Sequence, residues 1–286
     1  MSSSEAKTIT VIGSGLIGRS WAMVFMSGGY RVKIYDNQAA RAFQEVRKQL
    51  EELQEAHILS GQLSASEQLA LLSSHDLPQA LAGTFFIQER VFEETEEKQI
   101  VFQVVESHVG EGNRKRCIIS HPVNPPYYLR LVELVPHPET LPGVMDTTHA
   151  LMTAVGQAPV RLKKEIDGFA LNRVQYAIIA ESWRNGVISV KDIDLVMSEG
   201  LGMRYAFIGP METMHLNAPE GLEDYLQRYR EGMRSVLTAF GPVPEFSGEA
   251  AECINKVGLC VSEPQHLSAR RERRDQLLMG LAKLKK

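Results

Sequence analysis

One stretch of the chain carries residue types that are suited to acid–base chemistry. In "IISHPVNPPYY" (118–128), His121 directly follows a short apolar run, and Glu133 lies in "LVELVP", which is predicted to be the next strand. An imidazole backed by a carboxylate is a general base that takes a hydroxyl proton while a hydride leaves the same carbon. Asn172, in the later helical segment "GFALNR", could hydrogen-bond a substrate oxygen. Spacing alone leaves open a proline-rich turn with incidental polar residues.

A second stretch indicates nucleotide binding. "VIGSGLIGRS" contains Gly13, Gly15 and Gly18 in the spacing G-x-G-x-x-G, between a predicted strand and a predicted helix. In this pattern Gly13 permits a tight turn, Gly15 lets the backbone approach a pyrophosphate, and Gly18 lets the helix pack close to the strand. The N–H groups of Leu16 and Ile17, at the positive end of the helix, are the predicted phosphate donors.

Asp36 completes the nucleotide pattern at the end of the next predicted strand. It follows the first glycine at about the twenty-residue separation of the dinucleotide fingerprint. A carboxylate there accepts hydrogen bonds from ribose hydroxyls and repels a 2′-phosphate, which favours NAD over NADP. FAD enzymes use the same glycine pattern, and a glycine-rich turn of another α/β protein is a further alternative. Of the two nicotinamide cofactors the sequence predicts NAD, and the choice between NAD and FAD depends on the rest of the chain.

The bulk composition excludes several classes of protein. A chain of 286 residues with 44% hydrophobic and 23% charged residues is typical of a soluble globular protein of about two domains. The formal net charge of −4 provides no basic field, so we expect no nucleic-acid partner. Three widely spaced cysteines, Cys117, Cys253 and Cys260, argue against disulfides and against a metal site. Without a membrane-length apolar run or a signal-peptide pattern, we expect a cytoplasmic protein without a membrane contact.

The pattern of segments predicts the fold class. Apolar runs such as "KTITVIG", "YRVKIYD" and "TFFIQER" are predicted strands, with helical stretches between them, including a helix with a serine cap in "SASEQLALLSS". "RLVELVPHP" ends in proline, which suits an edge or terminal strand. After about Lys164 amphipathic helical segments dominate. We predict an α/β protein with a Rossmann-type, doubly wound, mainly parallel sheet over 1–164, followed by an all-helical domain over 165–286.

Several segments resemble a known family. "VIGSGLIGRSWAMVF", "HPVNPPYYLRLVELVPHPET", "GFALNRVQYAII" and "SEGLGMRYAFIGPMETMHLNA" resemble the 3-hydroxyacyl-CoA dehydrogenase superfamily over nearly the whole chain. The last of them and "HPETLPGVMD" resemble its lambda-crystallin branch specifically. The resemblance implies NAD-dependent oxidation of a free 3-hydroxy acid, L-gulonate to 3-dehydro-L-gulonate. It also implies a cytosolic homodimer in which the helical domain binds substrate and forms much of the dimer contact.

The resemblance also assigns roles to individual residues. The base of the superfamily's H-P-x-N-P-P motif falls on His121, its acidic partner on Glu133, and the asparagine of its G-F-x-x-N-R motif on Asn172. An acidic residue and a lysine that touch the nicotinamide half of NAD fall on Glu93 and Lys98. Taken without the resemblance, those last two residues indicate a charged helix face.

Arg204 is a candidate for recognising the substrate's carboxylate. It lies in the glycine-bounded segment "GLGMRYAFIGP" of the predicted helical domain. A guanidinium group grips a carboxylate in a bidentate manner. Gulonate has a free carboxylate, whereas an acyl-CoA has a thioester, so we hypothesise that Arg204 selects the free acid. The alternative is a structural ion pair between Arg204 and a neighbouring acidic residue.

The chain departs from the superfamily between Glu89 and His121. The superfamily has a further strand there, with a serine-rich segment whose serine hydrogen-bonds the reacting oxygen. In this chain one helical pattern, "EETEEKQIVFQVVESHV", is followed by a polar loop and then "CIIS". We therefore expect a sheet that is short of one strand. Two rivals stay open: a dehydrogenase for another 3-hydroxy acid or a 3-hydroxyacyl-CoA, and a catalytically impaired, NAD-binding crystallin-like structural protein.

Overall fold

The structure is a computed structural model that describes residues 7–36, 38–90, 95–109, 113–182, 190–239, 247 and 267–285. The chain divides into two structural units. The first unit contains Met1–Phe169 together with Leu277–Leu284, and the second contains Ala170–Gln276. No helix among the described residues is long and apolar enough to cross a membrane.

The first unit begins with a four-stranded, fully parallel sheet. Its strands are β1 (Thr8–Ile12), β2 (Arg31–Tyr35), β3 (Leu72–Ser74) and β4 (Phe86–Glu89). Their order is β3-β2-β1-β4. The central strand β1 is almost wholly buried. A strand covered on both faces is typical of a parallel sheet with crossover helices.

A second sheet of the same unit has three strands. They are β5 (Ile118–Pro122), β6 (Leu131–Pro136) and β7 (Ala158–Arg161), in the order β5-β6-β7. Strand β5 is antiparallel to β6, and β7 is parallel to β6. Four of the five strand pairings among the described residues are therefore parallel.

The helices of the first unit cover these sheets. They are α1 (Leu16–Ser27), α2 (Ala39–Glu55), α3 (Ala65–Leu69), α4 (Leu77–Leu81), α5 (Thr95–Val109) and α6 (Pro142–Ala154). A 3₁₀ turn, Asn113–Arg116, precedes β5. Helix α1 contributes Trp21 and Phe25, whose stacked rings are fully buried in the main core. Helix α3 begins with a capping box between Ser64 and Glu67, which satisfies two of the helix's unpaired N–H groups.

The regular elements of the second unit are all helices in the part of the chain that the structure describes. Its helices are α7 (Leu171–Ser182), α8 (Val190–Leu195), α9 (Gly202–Tyr205), α10 (Pro210–Leu216), α11 (Leu222–Thr238) and the first half of α12 (Leu267–Leu284). A π-helical segment, Val196–Leu201, joins α8 to α9. From Leu277 onward α12 belongs to the first unit, where Met279 packs against the main core.

One expectation about an individual element holds in part, and another is wrong. The segment "SASEQLALLSS" begins with a helix capped by a serine, Ser64, as predicted, but that helix covers only Ala65–Leu69, and Leu72–Ser74 forms β3 against β2. The helix formers of this segment favoured a longer helix, but pairing with β2 outweighs that propensity. Strand β6 is the middle strand of its sheet and not an edge or terminal strand. Its proline, Pro136, is the last residue of the strand, so the missing N–H interrupts no interior pairing.

The two sheets are separate at the place where a strand was expected to be missing. Among the described residues, β4 pairs only with β1, and β5 pairs only with β6. Between β4 and β5 the structure describes only α5 and the 3₁₀ turn. This arrangement agrees with a sheet that is short of one strand.

Candidate active site

The antiparallel pairing of β5 and β6 brings His121 and Glu133 together. The two residues are directly opposite each other in the strand register. Opposed positions place two Cβ atoms about 5 Å apart, close enough for side chains to bind. The Nδ1 atom of His121 lies 2.9 Å from the Oε2 atom of Glu133. Their geometry is that of an oriented acid–base pair.

Burial differs sharply within this pair. The side chain of Glu133 is 1% exposed, whereas that of His121 is 28% exposed. A carboxylate so deeply buried requires a hydrogen-bonding partner. When the imidazole is neutral, its Nδ1–H donates to Glu133, and the lone pair of Nε2 is left to accept a proton. The arrangement can therefore act as a general base at Nε2.

The loop after His121 is anchored to the connection between α2 and α3. The N–H of Ser60 donates to the hydroxyl oxygen of Tyr127 at 2.9 Å. The side-chain amide of the fully buried Gln68 donates to the carbonyl oxygen of Ser60 at 2.7 Å. Burial raises the pKa of Tyr127, against the opposing effect of its hydrogen bond with Ser60. The segment 123–129 is thus held by a network that includes buried polar groups.

The glycine-rich turn has the shape that a dinucleotide needs. Gly13 has φ +92°, which favours glycine. A Cβ atom on Gly18 would lie 1.9 Å from the carbonyl oxygen of Gly13, whereas one on Gly15 would meet no atom within 4 Å. Gly15 caps α1 without a side-chain hydrogen bond, so the first N–H groups, those of Leu16 and Ile17 included, can serve a phosphate. The turn fits a pyrophosphate beside Gly15.

Asp36 lies at the end of β2 beside this turn. Its Oδ2 atom accepts the N–H of Ser14 at 2.6 Å, and its Oδ1 atom accepts the N–H of Gln38 at 2.7 Å. Partial burial acts to raise the pKa of Asp36, but these backbone hydrogen bonds and the nearby charge of Arg19 outweigh it, and the pKa is lowered. A carboxylate has about four acceptor positions, so room is left for ribose hydroxyls.

Two predicted site residues belong to the second unit. Asn172 is half-buried at the second position of α7. Arg204 is exposed in α9, directly after the π-helical segment, and its guanidinium lies 5.7 Å from the centre of the Tyr205 ring. No ion pair among the described residues involves Arg204. The alternative of a structural ion pair with a neighbouring acidic residue thus finds no support in the described part of the chain.

The positions of the remaining predicted site residues, and of Ser120, give no further support for a role in the site. Lys98 is half-buried in α5, and Glu93 lies outside the described residues. Ser120 precedes His121 in β5, and its buried Oγ atom has no hydrogen-bond partner among the described residues. Neighbouring side chains of a strand point to opposite faces, so Ser120 does not face the substrate side of His121. No group of three potential metal ligands occurs in the part of the chain that the structure describes.

Sequence reasoning missed two residues that touch the predicted site. The ring of Phe169 packs edge-to-face against the His121 imidazole, with 5.2 Å between ring centres. The Nη1 atom of Arg19 donates to the carbonyl oxygen of Ser14 at 3.2 Å and so braces the glycine-rich turn. The place of Arg19, one residue after the last glycine of the motif, was a usable signal. Phe169 lies in the motif segment "GFALNR", but its contact with His121 depends on a backbone conformation that the sequence pattern does not reveal.

Comparison with known proteins decides the family. The NAD binding domain of 3-hydroxyacyl-CoA dehydrogenase matches residues 8–113 and 110–166, and the C-terminal domain of that enzyme matches residues 168–245. Lambda-crystallin of Oryctolagus cuniculus is 52% identical over 316 residues, which cover 100% of this chain and 98% of that protein. The chain belongs to the 3-hydroxyacyl-CoA dehydrogenase family. It is by family an NAD-dependent dehydrogenase, and NAD is its cofactor, as predicted.

Two further relatives extend this result. L-carnitine dehydrogenase of Streptomyces griseus subsp. griseus is 28% identical over 261 residues, covering 83% of this chain and 75% of that protein. The crystal structure of an NAD⁺-dependent dismutase, 5-formyl-3-hydroxy-2-methylpyridine 4-carboxylic acid 5-dehydrogenase, matches with a TM-score of 0.81 at 23% identity, covering 98% of each chain. The structural match confirms the predicted fold class, a Rossmann-type domain followed by a helical region.

The comparison also shows that this chain is shorter than its relative. The alignment with the rabbit protein runs over 316 residues, whereas this chain has 286, so at least 30 aligned positions have no residue here. The NAD binding domain matches this chain in two segments, residues 8–113 and 110–166, which meet between α5 and β5.

Proposed function

We propose that this chain oxidises the 3-hydroxyl group of a free hydroxy acid, L-gulonate to 3-dehydro-L-gulonate, with His121 as the general base. The observation that carries the proposal is the 2.9 Å contact between His121 and Glu133, which leaves Nε2 of the more exposed histidine to accept a proton. Nε2 takes the proton of the C3 hydroxyl group as the C3–H bond breaks. The hydride leaves C3 at the same time, and NAD held by the turn of Gly13, Gly15 and Gly18 and by Asp36 would supply its acceptor. Glu133 stabilises the imidazolium that forms.

Residues of the second unit are assigned to substrate binding in this proposal. Asn172 donates a hydrogen bond to the reacting oxygen, and Arg204 binds the carboxylate. Two observations support a free acid. Arg204 has no ion pair among the described residues, and the related L-carnitine dehydrogenase acts, by its name, on a 3-hydroxy acid with a free carboxylate.

The parts of NAD are assigned to individual residues of the first unit. We assign the pyrophosphate to the turn of Gly13, Gly15 and Gly18 and to the N–H groups of Leu16 and Ile17, and the adenosine ribose to Asp36. Glu93 and Lys98 are assigned to the nicotinamide half by family resemblance alone.

The proposal includes a cytoplasmic homodimer. Helix α7 of the second unit exposes the large apolar side chains of Tyr176 and Ile179, which are three positions apart and so lie on one face of the helix. Exposed apolar side chains that adjoin one another are typical of an association surface. Light scattering after size-exclusion chromatography should give twice the chain mass of 31.9 kDa.

A second function is favoured by one observation. At least 30 aligned positions have no residue in this chain. The part of the chain between β4 and β5, where the resemblance places the superfamily's serine strand, has no strand among its described residues. Loss of a hydrogen-bond donor to the reacting oxygen costs a factor of about 10²–10³ in rate. The chain would then bind NAD as a crystallin-like structural protein without useful turnover.

NADH production separates these functions. The substrates are L-gulonate, 3-hydroxybutyrate and 3-hydroxybutyryl-CoA, and NAD binding is measured in parallel by calorimetry. Turnover fastest with gulonate supports the proposal, and turnover fastest with the thioester contradicts it. NAD binding without turnover of any of the three supports the structural alternative.

A further inference from the structure

We propose that Phe169 is a positioning residue that holds the imidazole of His121 in its productive orientation, an inference that rests on the proposed role of His121 as base. The two rings have centres 5.2 Å apart and planes inclined at 63°. This is the edge-to-face arrangement that aromatic pairs prefer. Both residues belong to the first unit.

The hydrogen bond to Glu133 alone does not fix the imidazole. It holds Nδ1 at one point, and the torsion that turns an imidazole about its Cβ–Cγ bond has a broad energy profile. Phe169 adds a second contact, with the ring as a whole, at 5.2 Å between ring centres. One polar contact at Nδ1 and one apolar contact with the ring together restrict the rotation of the imidazole more than either does alone. Nε2 then keeps one direction toward the substrate.

The backbone at Phe169 adopts a conformation that is unfavourable for a residue with a bulky side chain. Gly168 has φ +74° and Phe169 has φ +48°. The N–H of Phe169 donates to the carbonyl oxygen of Ile166 at 3.0 Å, which closes a turn with glycine at its third position. Glycine suits a positive φ at that position, but a bulky residue such as phenylalanine rarely adopts one. Such a conformation persists only where the surrounding structure over-determines it, often at a functional site.

One other non-glycine residue with a positive φ among the described residues provides a control. His57, with φ +57°, follows the end of α2 and has no part in the predicted site. Glycine at either position should relieve backbone strain. Only at position 169 should the same change also remove a contact to the imidazole.

Four variants test the inference. Phe169→Leu keeps an apolar side chain without the ring, Phe169→Tyr keeps the ring, and Phe169→Gly and His57→Gly relieve the backbone. Misplaced reacting groups cost up to about 100-fold in rate, so we expect Phe169→Leu and Phe169→Gly to lower kcat by roughly 10- to 100-fold without raising KM for NAD. We expect Phe169→Tyr and His57→Gly to keep kcat. Phe169→Gly should unfold at no lower temperature than the unchanged protein, which separates its loss of activity from a loss of folding.

A spectroscopic measurement tests the orientation without turnover. The Nδ1–H of His121 should give a downfield proton resonance in the NMR spectrum, identified by its absence in His121→Gln. We expect this resonance to be sharp in the unchanged protein and in Phe169→Tyr, and broadened or shifted in Phe169→Leu. An unchanged resonance in Phe169→Leu, or unchanged kcat in it while His121→Gln is inactive, would overturn the inference. Full activity of His121→Gln would instead overturn the proposed function, and the resonance would still decide whether Phe169 orients the ring.

Discussion

His121 and Glu133 are directly opposed across β5 and β6, and their side chains meet at 2.9 Å. The pairing that creates this contact lies within the three-stranded sheet and needs no residue from the four-stranded one. Separation of the two sheets therefore leaves the predicted acid–base pair assembled. The shortened connection instead leaves β4 and β5 each paired on one side only among the described residues.

Removal of the carboxylate from this pair should lower activity strongly. Glu133→Gln keeps the size of the side chain but offers no charge to stabilise an imidazolium, so we expect kcat to fall by about 10²–10⁴-fold. KM for NAD should change little. Initial rates of NADH formation measure both quantities. A kcat within about twofold of the unchanged protein would contradict the assigned role of Glu133.

Stability gives an independent check on the same pair. His121→Gln leaves the carboxylate of Glu133 buried without its imidazole, at a cost of about 1–3 kcal/mol. The double variant, His121→Gln with Glu133→Gln, has no buried charge at this place, and we expect it to regain part of the lost free energy of unfolding. Urea denaturation of the two single variants, the double variant and the unchanged protein completes this double-mutant cycle.

The glycines of the nucleotide turn should separate folding from binding. A Cβ atom on Gly18 would overlap the Gly13 carbonyl oxygen, so Gly18→Ala should destabilise the protein by about 1–3 kcal/mol. Gly15→Ala meets open space and should leave the thermal midpoint nearly unchanged, while the added methyl group occupies the place of a phosphate. Calorimetric titration with NAD should therefore show weaker binding by Gly15→Ala despite normal folding. Equal affinity of Gly15→Ala and the unchanged protein would argue against a pyrophosphate at this place.

Local patterns of the sequence predicted the nucleotide turn well. The spacing of the glycines and the place of Asp36 depend on a single strand–turn–helix unit and the strand that follows it, so no distant contact is needed to recognise them. The His121–Glu133 contact was predicted from the succession of two strands. The sequence pattern did not predict the antiparallel register that places the two residues opposite each other, because register depends on how the whole sheet assembles.

Features that depend on distant partners were missed. Leu72–Ser74 is a strand because β2 offers it a parallel edge, although its own segment favours a helix. Strand β7, which pairs with β6, is short and largely exposed, and its "APVR" segment carries no clear alternation. The positive φ of Phe169 is a property of the folded turn, and the residue type at this position does not predict it.

Asp36 should make stability depend on acid pH. The pKa of Asp36 in the folded protein is lowered, so its carboxylate contributes stability above the ordinary pKa of about 3.9, and this contribution is lost as the pH falls through the lowered value. Relative to Asp36→Asn, the unchanged protein should be more stable at pH 7, and the difference should shrink below about pH 4. Urea denaturation from about pH 3 to pH 7 measures this difference. Asp146→Asn, which removes an exposed ion pair with Arg161, is the control and should show a smaller pH dependence.

Arg204 should govern affinity for the free acid. We expect Arg204→Met to raise KM for gulonate by about 10–100-fold, since a charge-assisted hydrogen bond contributes roughly 1.5–3 kcal/mol. Arg204→Lys keeps the positive charge but loses the planar guanidinium group. Its KM for gulonate should therefore lie between those of the unchanged protein and Arg204→Met. Steady-state kinetics at saturating NAD measure KM. If KM for gulonate were unchanged in Arg204→Met, the carboxylate would have to be bound by another residue.

Restoration of the missing segment should raise both activity and stability. The two matched segments of the NAD binding domain meet at residues 110–113, so the corresponding segment of the rabbit relative is inserted there. Strands β4 and β5 each pair on one side only among the described residues, so an inserted strand has edges on which to form. If the segment supplies the serine that the superfamily places at the reacting oxygen, kcat should rise by about 10²–10³-fold.

The chimera is tested by its rate with gulonate and by its thermal midpoint with and without NAD. An insertion of equal length that is rich in glycine and serine is the matched control. A rise in the midpoint without a rise in kcat would show that the segment serves the sheet alone, and equal behaviour of chimera and control would remove the gap as an explanation for low activity.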